Sequence, residues 1–320
     1  MTPPANRHPQ TTSTLTNFRL AVEKALEGKP EVIDLALTAL LANGHVLIED
    51  VPGVGKTTLA RALARALGGQ LNRVQFTSDL LPSDITGVPV FNQKTTDFIL
   101  RKGPIFTNVF LADEINRASP RTQSALLEAM SERQVSIDGT TIELQQPFFV
   151  LATQNPHDHA GTFPLPESQL DRFMLRIRIG YPPPLTETRI LLDGTPDRVP
   201  LVPTVLEPGQ ILQFQQEIQQ IRIDPDLATY LQAILAATRT SPLLTIGTST
   251  RAGMDLARAA RARALLRGRS FCIADDIHDL AVPVLAHRVR LAASVDGYIA
   301  TRDEAEAVIR NIIARVAVPL

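Results

Sequence analysis

The chain has 320 residues, enough for two domains of ordinary size, and its hydrophobic share of 44 % and charged share of 20 % are typical of a globular protein. Its formal net charge of -1 gives no general electrostatic attraction to DNA, RNA or anionic membranes. A single cysteine excludes an internal disulfide framework and fits a reducing, cytoplasmic location. No apolar run approaches the roughly 18 residues of a membrane span, so we expect no membrane insertion.

Residues 1–16 are rich in Pro, Thr, Asn and Gln and lack the apolar segment of a signal peptide, so we predict a disordered lead-in. Two helices are predicted next, over residues 18–26 and 30–42. The second is apolar nearly all round and is bounded by Pro30 and by Asn43-Gly44, which favours packing against a sheet.

Residues 45–67 predict a buried strand, a glycine-rich turn and a helix with leucines at helical spacing. This arrangement is typical of a phosphate-binding loop, in which backbone N–H groups and the helix N-terminus bind phosphate oxygens. Lys56 adds a full positive charge, and the Thr57 hydroxyl can reach Mg²⁺. Asp50 stands where the strict pattern has glycine. The alternative, a chance Gly-Lys-Thr in an ordinary loop, is less favoured because strand, helix and spacing agree.

A strand is predicted over residues 71–76, mostly turn over 77–91, and one arm of a hairpin over 97–101. A buried strand over 109–112 then ends in Asp113-Glu114. Parallel sheets bind ligands at the carboxyl ends of their strands, where one acid can hold Mg²⁺ and another can polarise the attacking water. The alternative is that the two acids cap the following helix.

A helix is predicted over residues 119–133, and a hairpin over 135–144 is indicated by alternation around an Asp-Gly turn. The next strand, 148–152, runs into a polar cluster that includes Asn155. That side chain could hold the attacking water or a γ-phosphate oxygen; the alternative is a simple Asx turn before Pro156.

A short helix within 165–172 and an edge strand over 174–179 precede a stiff Tyr-Pro-Pro-Pro linker, the predicted domain boundary. The strand pattern then ends, so we predict an α/β nucleotide-binding domain over residues 17–184 and an all-helical domain over 185–320. The predicted helices of the second domain are 185–192, 209–220, 226–240, 250–267, 275–287 and 302–316.

From about residue 18 to the C-terminus, the ordered set of motifs resembles the AAA+ ATPases and, within them, the MoxR branch. The resemblance implies an αβα sandwich around a five-stranded parallel sheet, followed by a helical lid domain. The segments that carry it are residues 51–57, 111–118, 122–130, 152–156, 165–167 and 170–173.

The resemblance also implies an ATP-hydrolysing, chaperone-like protein that forms a hexameric ring with ATP at its subunit interfaces. Such proteins remodel, assemble or activate partners, often ones with von Willebrand factor A domains. Two alternatives stay open: a nucleotide-gated scaffold with little turnover, and a DNA-dependent motor or chelatase-like subunit. The near-neutral charge counts against nucleic acid.

Carried onto this sequence, the resemblance makes Asp113 the organiser of Mg²⁺, Glu114 the residue that orients water, and Asn155 the sensor-1 position. Members of the branch often lack the first glycine of the phosphate loop, so Asp50 does not weigh against activity. The residues expected to hold ATP or ADP and Mg²⁺ are Val51, Pro52, Gly53, Val54, Gly55, Lys56, Thr57 and Thr58.

Arg251 resembles the sensor-2 arginine of the lid, next to Thr250, where the family usually has proline. Arg172 is the predicted arginine finger that reaches a neighbour's γ-phosphate. The alternatives for that role are Arg117, Arg176 and Arg178. The resemblance implies that the hairpin over 135–144 projects toward the pore of the ring. The alternative is that it only extends the edge of the central sheet.

Overall fold

The computed structural model describes residues 9–94, 96–156, 161–194, 197–292 and 302–319. It begins with helices α1 (Pro9–Glu23) and α2 (Pro30–Leu41). Residues 9–16 are therefore helical, and the prediction of disorder was wrong for them; residues 1–8 lie outside the described residues. The reason is tertiary packing, since Leu15 is only 1 % exposed and lies in the same core cluster as Phe18.

A parallel sheet forms the centre of the first domain. Its strands are β1 (Val46–Glu49), β2 (Leu71–Gln75), β5 (Val109–Asp113), β8 (Phe149–Gln154) and β9 (Leu175–Ile177). Their order is β2-β5-β8-β1-β9, with β9 at one edge as predicted. Alternate strand residues face opposite layers: Val46 and Ile48 join the core with α1 and α2, whereas Leu47 joins the other core.

Helices cover both faces of this sheet, so the predicted αβα sandwich is confirmed. They are α3 (Lys56–Ala66), α4 (Pro82–Thr86), α5 (Pro120–Glu132) and α6 (Glu167–Leu170). Buried residues of α3 pack on the same side as α1 and α2, and those of α5 pack on the other side.

Two hairpins stand apart from the central sheet as separate antiparallel pairs. The first joins β3 (Gly87–Asn92) to β4 (Asp97–Lys102), and the second joins β6 (Gln134–Ile137) to β7 (Thr140–Glu143). The prediction of turn over 87–91 was wrong. Pro89 is tolerated in β3 because each strand of a two-stranded pair has one side that donates no ladder bond. The second hairpin does not edge the central sheet.

In the described part of the second domain, helices are accompanied by one small ribbon. Its helices are α7 (Pro184–Asp193), α8 (Pro208–Glu217), α9 (Pro225–Thr240), α10 (Thr250–Leu266), α11 (Ala274–Leu285) and α12 (Arg302–Arg315). The ribbon pairs β10 (Leu244–Ile246) with β11 (Arg290–Leu291), so the all-helical prediction missed two very short strands. Helix α10 contacts α11, α2 and α1, which places this lid behind the layer formed by α1, α2 and α3. No helix in the described part of the chain is long and apolar enough to cross a membrane.

Candidate nucleotide-binding site

The phosphate loop connects β1 to α3 as predicted. Gly53 and Gly55 have φ angles of +85° and +100°, which side-chain-bearing residues rarely adopt. A Cβ at Gly55 would also lie 2.9 Å from Leu26 Cδ1. Gly55 precedes α3 without a capping side chain, so the N–H groups of the first helical turn can bind phosphate oxygens.

Lys56 lies in this first turn, and its ammonium donates a hydrogen bond to the carbonyl oxygen of Asp50. Burial lowers the pKa of Lys56, and the nearby carboxylates of Asp50, Asp113 and Glu114 oppose that shift. The amine therefore sits between the phosphate loop and the acids at the end of β5, where it can neutralise a phosphate.

Asp50 has a structural role that the sequence pattern did not reveal. Its carboxylate is buried, with the residue 8 % exposed. Oδ1 accepts a hydrogen bond from the Val51 N–H at 2.8 Å, and Oδ2 accepts from the N–H groups of Ile179 and Gly180, both at 2.7 Å. Asp50 thus ties the phosphate loop to the chain that leaves β9 toward the lid, which a glycine could not do.

Asp113 lies at the carboxyl end of β5, and the phosphate loop follows the carboxyl end of β1. The two strands run parallel with only β8 between them, so Asp113 and the loop lie at the same end of the sheet. Its Oδ2 forms an ion pair with Arg73 Nη2 at 2.7 Å. Its Oδ1 accepts a hydrogen bond from Thr153 Oγ1 at 2.5 Å. Asp113 and the half-buried Thr57 hydroxyl supply the oxygen groups that Mg²⁺ prefers, so these two residues would hold the ion.

Glu114 follows in the left-handed region, with a φ of 56°. Its N–H donates to Thr153 Oγ1 at 2.9 Å, and its carboxylate pairs with Arg117 Nε at 2.6 Å. The alternative that these acids cap α5 is wrong, because Ser119 Oγ accepts the N–H of the first helical turn. Thr153 therefore contacts both acids, and it does so from within β8, although the sequence placed it in the polar cluster after the predicted strand.

Asn155 follows β8 and lines a cavity of about 370 Å³ with Glu49, Gln154 and Arg176. Gln154 Nε2 donates to Glu49 Oε1 at 2.7 Å, and Glu49 Oε2 pairs with Arg302 Nη1 at 3.0 Å. Arg302 is the first residue of α12. The end of β8, which precedes Asn155, is therefore connected through Glu49 to α12, the last helix of the lid.

A second cavity, of about 410 Å³, opens beside the phosphate loop. It is bounded by Gly53 and Gly55 of the loop, by Leu26 from the α1–α2 connection, and by Pro182 and Ile190 of the linker and α7. Its volume and partly apolar lining are those of a small-molecule site, and it continues directly from the phosphate loop. It is the candidate nucleoside pocket.

Arg172 and Arg251 lie at the other end of the strands, where the parallel strands begin. Arg172 precedes β9, and Leu175 of β9 pairs with Val46, the first residue of β1, whereas the phosphate loop follows the last residue of β1. Arg172 Nη1 donates to Leu127 O at 2.7 Å, and Arg251 Nε lies 3.7 Å from Asp171 Oδ2. Neither arginine can contact the phosphate loop of its own chain, so the predicted phosphate contacts of both require a second subunit.

The other arginines considered for the finger role are engaged within the chain. Arg117 pairs with Glu114, and Arg178 pairs with Asp303 at 2.6 Å. The Arg176 side chain is 10 % exposed and lies 3.6 Å from Glu49. Arg172, which is partly exposed, remains the best candidate among them.

Two family models match the chain. Residues 45–175 match the ATPase family associated with various cellular activities (AAA), and residues 236–312 match the AAA lid domain. The first match spans the phosphate loop, both acids and Asn155, and the second contains Arg251.

Relatives of the whole chain are found in several bacteria. Chaperone MoxR1 of Mycobacterium tuberculosis is 40 % identical over 96 % of this chain and 82 % of its own length. Protein MoxR of Methylorubrum extorquens is 32 % identical over 86 % of this chain and 87 % of its own. A solved structure from Cytophaga hutchinsonii, described as a candidate ATPase, is 35 % identical, with a TM-score of 0.87 over 97 % of this chain and 96 % of that one. With its fold, its phosphate loop and these relatives, the chain belongs to the MoxR family of AAA+ ATPases.

Proposed function

We propose that this protein hydrolyses ATP in an Mg²⁺-dependent reaction and uses the cycle to remodel or activate a partner protein. The observation that carries the proposal is the acid pair Asp113-Glu114 at the same sheet edge as the phosphate loop, with both residues held by Thr153. A binding protein without turnover would need the phosphate loop but no second acid for the attacking water.

Each residue of this edge has a distinct role in the proposed reaction. The phosphate loop and Lys56 bind the phosphates, and Thr57 and Asp113 hold Mg²⁺, which supplies charge neutralisation when bound. Glu114 accepts a proton from the attacking water, and Asn155 orients that water or the γ-phosphate. The nucleoside occupies the cavity beside Leu26 and Ile190.

We propose that the active form is a homo-oligomeric ring, with six subunits as the family resemblance implies. The separation of the phosphate loop from Arg172 and Arg251 supports this, because two groups on opposite edges of one subunit can meet only between neighbours. Arg172 and Arg251 then act on the nucleotide of the next subunit, where a permanently charged planar fork stabilises transition-state charge.

The proposed client is a protein, in line with the chaperone name of the Mycobacterium tuberculosis relative. A partner with a von Willebrand factor A domain is the first candidate. A pull-down with an ATP-trapped variant under native conditions identifies the client, because the nucleotide-bound state should hold it.

The central test is Glu114→Gln, which keeps the size of the side chain and removes the base. We expect turnover to fall by about 10²–10⁴-fold while ATP remains bound after gel filtration. Chelation of Mg²⁺ should abolish turnover in the wild type. Steady-state ATPase assays and quantification of retained nucleotide measure both effects.

Glu128→Gln makes the same chemical change on the exposed face of α5 and should leave turnover unchanged. Equal turnover in the wild type and Glu114→Gln would remove Glu114 from the mechanism. ATP binding without turnover in the wild type would favour the nucleotide-gated scaffold.

A further inference from the structure

A small cavity at the amino edge of the sheet is unusually rich in positive charge. It measures about 140 Å³ and is lined by residues from the start of β1, the end of α5, the start of β9 and the first turns of α10. Its charged lining residues are Arg133, Arg172, Arg251, Arg258 and Asp255. We call it the arginine cavity.

The acids in contact with these arginines do not balance their charge. Asp255 pairs with Arg258 and, at 2.7 Å, with Arg288; Asp171 pairs with Arg251 at 3.7 Å and with Arg288 at 3.3 Å. Two carboxylates are thus shared among five guanidinium groups when Arg133 and Arg172 are included. Such an excess attracts an anion of several charges.

Arg133 is the least compensated member of the group. Its backbone is fixed, because its N–H donates to Ala129 O at 2.9 Å and its carbonyl accepts from Leu144 N at 2.9 Å. Its guanidinium has no hydrogen-bond or ion-pair partner within the described part of the chain. Burial lowers its pKa, and the positive charge of Arg258 lowers it further. A half-buried cation held next to other cations indicates that a ligand completes the site.

We propose that Arg133 is a third phosphate-contacting arginine beside Arg172 and Arg251, and that the anion is the triphosphate of a nucleotide held by the phosphate loop of a neighbouring copy. The inference rests on the proposed function, since it requires an interfacial nucleotide. Planar guanidinium forks match phosphate oxygens, and the small cavity has room for a phosphate group but not for a folded acidic segment.

The test uses Arg133→Ala in the full-length chain. We expect kcat to fall by about 10- to 100-fold while ATP binding to the variant's own phosphate loop is retained. Lys56→Ala should be inactive because it cannot bind ATP, although its arginines are intact. Mixing the inactive Lys56→Ala protein with the slow Arg133→Ala protein should raise turnover above that of either alone, at interfaces that combine an intact loop with an intact arginine cavity.

Arg121→Ala, on the exposed first turn of α5, is the matched control and should keep wild-type kcat. Arg133→Lys, which keeps the charge but loses the fork, should be intermediate. Unchanged kcat in Arg133→Ala overturns the inference, and so does failure of the mixture to regain activity, because a role within the subunit cannot be complemented by a neighbour.

A final arm separates this inference from the proposed function. If the wild type binds ATP but does not turn it over, the proposed hydrolysis fails, and ATP-induced assembly measured by mass photometry becomes the readout. Arg133→Ala should then need about tenfold more ATP to assemble, and an unchanged requirement overturns the inference. Arg133-dependent binding of inorganic phosphate to the monomer, with normal assembly and turnover, would instead assign the cavity to a free anion and also overturn it.

Discussion

At the scale of single residues, Asp50 replaces the glycine of a phosphate loop with a buried carboxylate that accepts three backbone N–H groups. Hydrogen bonds to an ionised acceptor are stronger than those between neutral groups, and a buried donor that loses its acceptor carries the full desolvation penalty. The side chain therefore contributes to loop position and to the attachment of the linker.

We predict that Asp50→Ala lowers the free energy of unfolding by about 2–3 kcal/mol, because three buried N–H groups lose their acceptor. Asp50→Asn should lose about 1 kcal/mol, because an amide offers a single acceptor oxygen. The KM for ATP should rise more than kcat falls, since the loop binds phosphate in the ground state as well. Urea unfolding and steady-state kinetics measure these changes.

Asp303→Asn provides the comparison, since the Asp303 side chain is 73 % exposed and pairs only with Arg178 among the described residues. Its effect on unfolding should stay below about 0.5 kcal/mol. An Asp50→Ala variant as stable as the wild type, with unchanged KM, would leave Asp50 without the anchoring role.

Local sequence was sufficient to predict the phosphate loop and the acid pair, because each motif lies within a few consecutive residues. The partners of these residues could not be found in that way. Asp50 bonds Ile179 and Gly180, and Thr153 bonds Asp113, across separations of 129, 130 and 40 residues. Such contacts depend on strand order, which no single motif specifies.

At the scale of elements, the first turn of α10 offers a test of the departure from the family pattern at Thr250. Ser249 caps the helix by accepting the Ala252 N–H at 3.1 Å, and Thr250 is the first helical residue. Its own N–H has no acceptor within the helix, so proline loses nothing there. Ser249 has φ -77° and ψ 164°, which is compatible with a following proline.

We therefore predict that Thr250→Pro stabilises the protein by about 0.4–1 kcal/mol, by reducing the conformational freedom of the unfolded chain. Differential scanning calorimetry should show a Tm increase of roughly 1–4 °C. Thr229→Pro, inside α9, should instead cost about 3 kcal/mol because it removes a helical hydrogen bond. A Tm decrease in Thr250→Pro would show that the threonine makes a contribution that the helix geometry does not explain.

Element type was predictable where periodicity ran over many residues, as in α5, α9 and α10. The prediction of element type failed where tertiary packing outweighed the local sequence preference. Helix α1 begins at Pro9 in a polar segment because Leu15 is buried by its neighbours, and β3 contains Pro89. The strands β10 and β11 are only three and two residues long, too short to show a period.

At the scale of the whole molecule, stability should depend on pH through a buried histidine between the sheet and α5. His45 Nδ1 accepts the Val150 N–H at 3.1 Å, so Nε2 carries the proton donated to Met130 O at 3.1 Å. Burial lowers the pKa of His45 to about 4. Burial also lowers the pKa of His287 well below its usual range.

A lowered pKa in the folded state means that the unfolded chain binds the proton more readily. The full stability is therefore present above about pH 6.5 and is lost as the pH falls toward 4. From His45 alone we predict a loss of about 3 kcal/mol across this window. Urea unfolding at several pH values measures it.

His45→Gln, which can keep one donor and one acceptor, should flatten this dependence and leave the part due to His287. His278→Gln changes an exposed histidine and should leave the curve unaltered. An unchanged slope in His45→Gln would show that His45 is not the group that titrates.

The burial of Cys272 also has a practical consequence for spectroscopy. It is the only cysteine of the chain, and burial raises its pKa to about 12, so at neutral pH it is a shielded thiol rather than a reactive thiolate. A cysteine introduced at the exposed Ala314 of α12 can therefore be labelled selectively with a maleimide dye in the otherwise native protein. Because Arg302, at the start of the same helix, contacts Glu49 at the end of β1, a change in the dye's fluorescence on ATP addition is the expected sign that nucleotide binding is transmitted to α12.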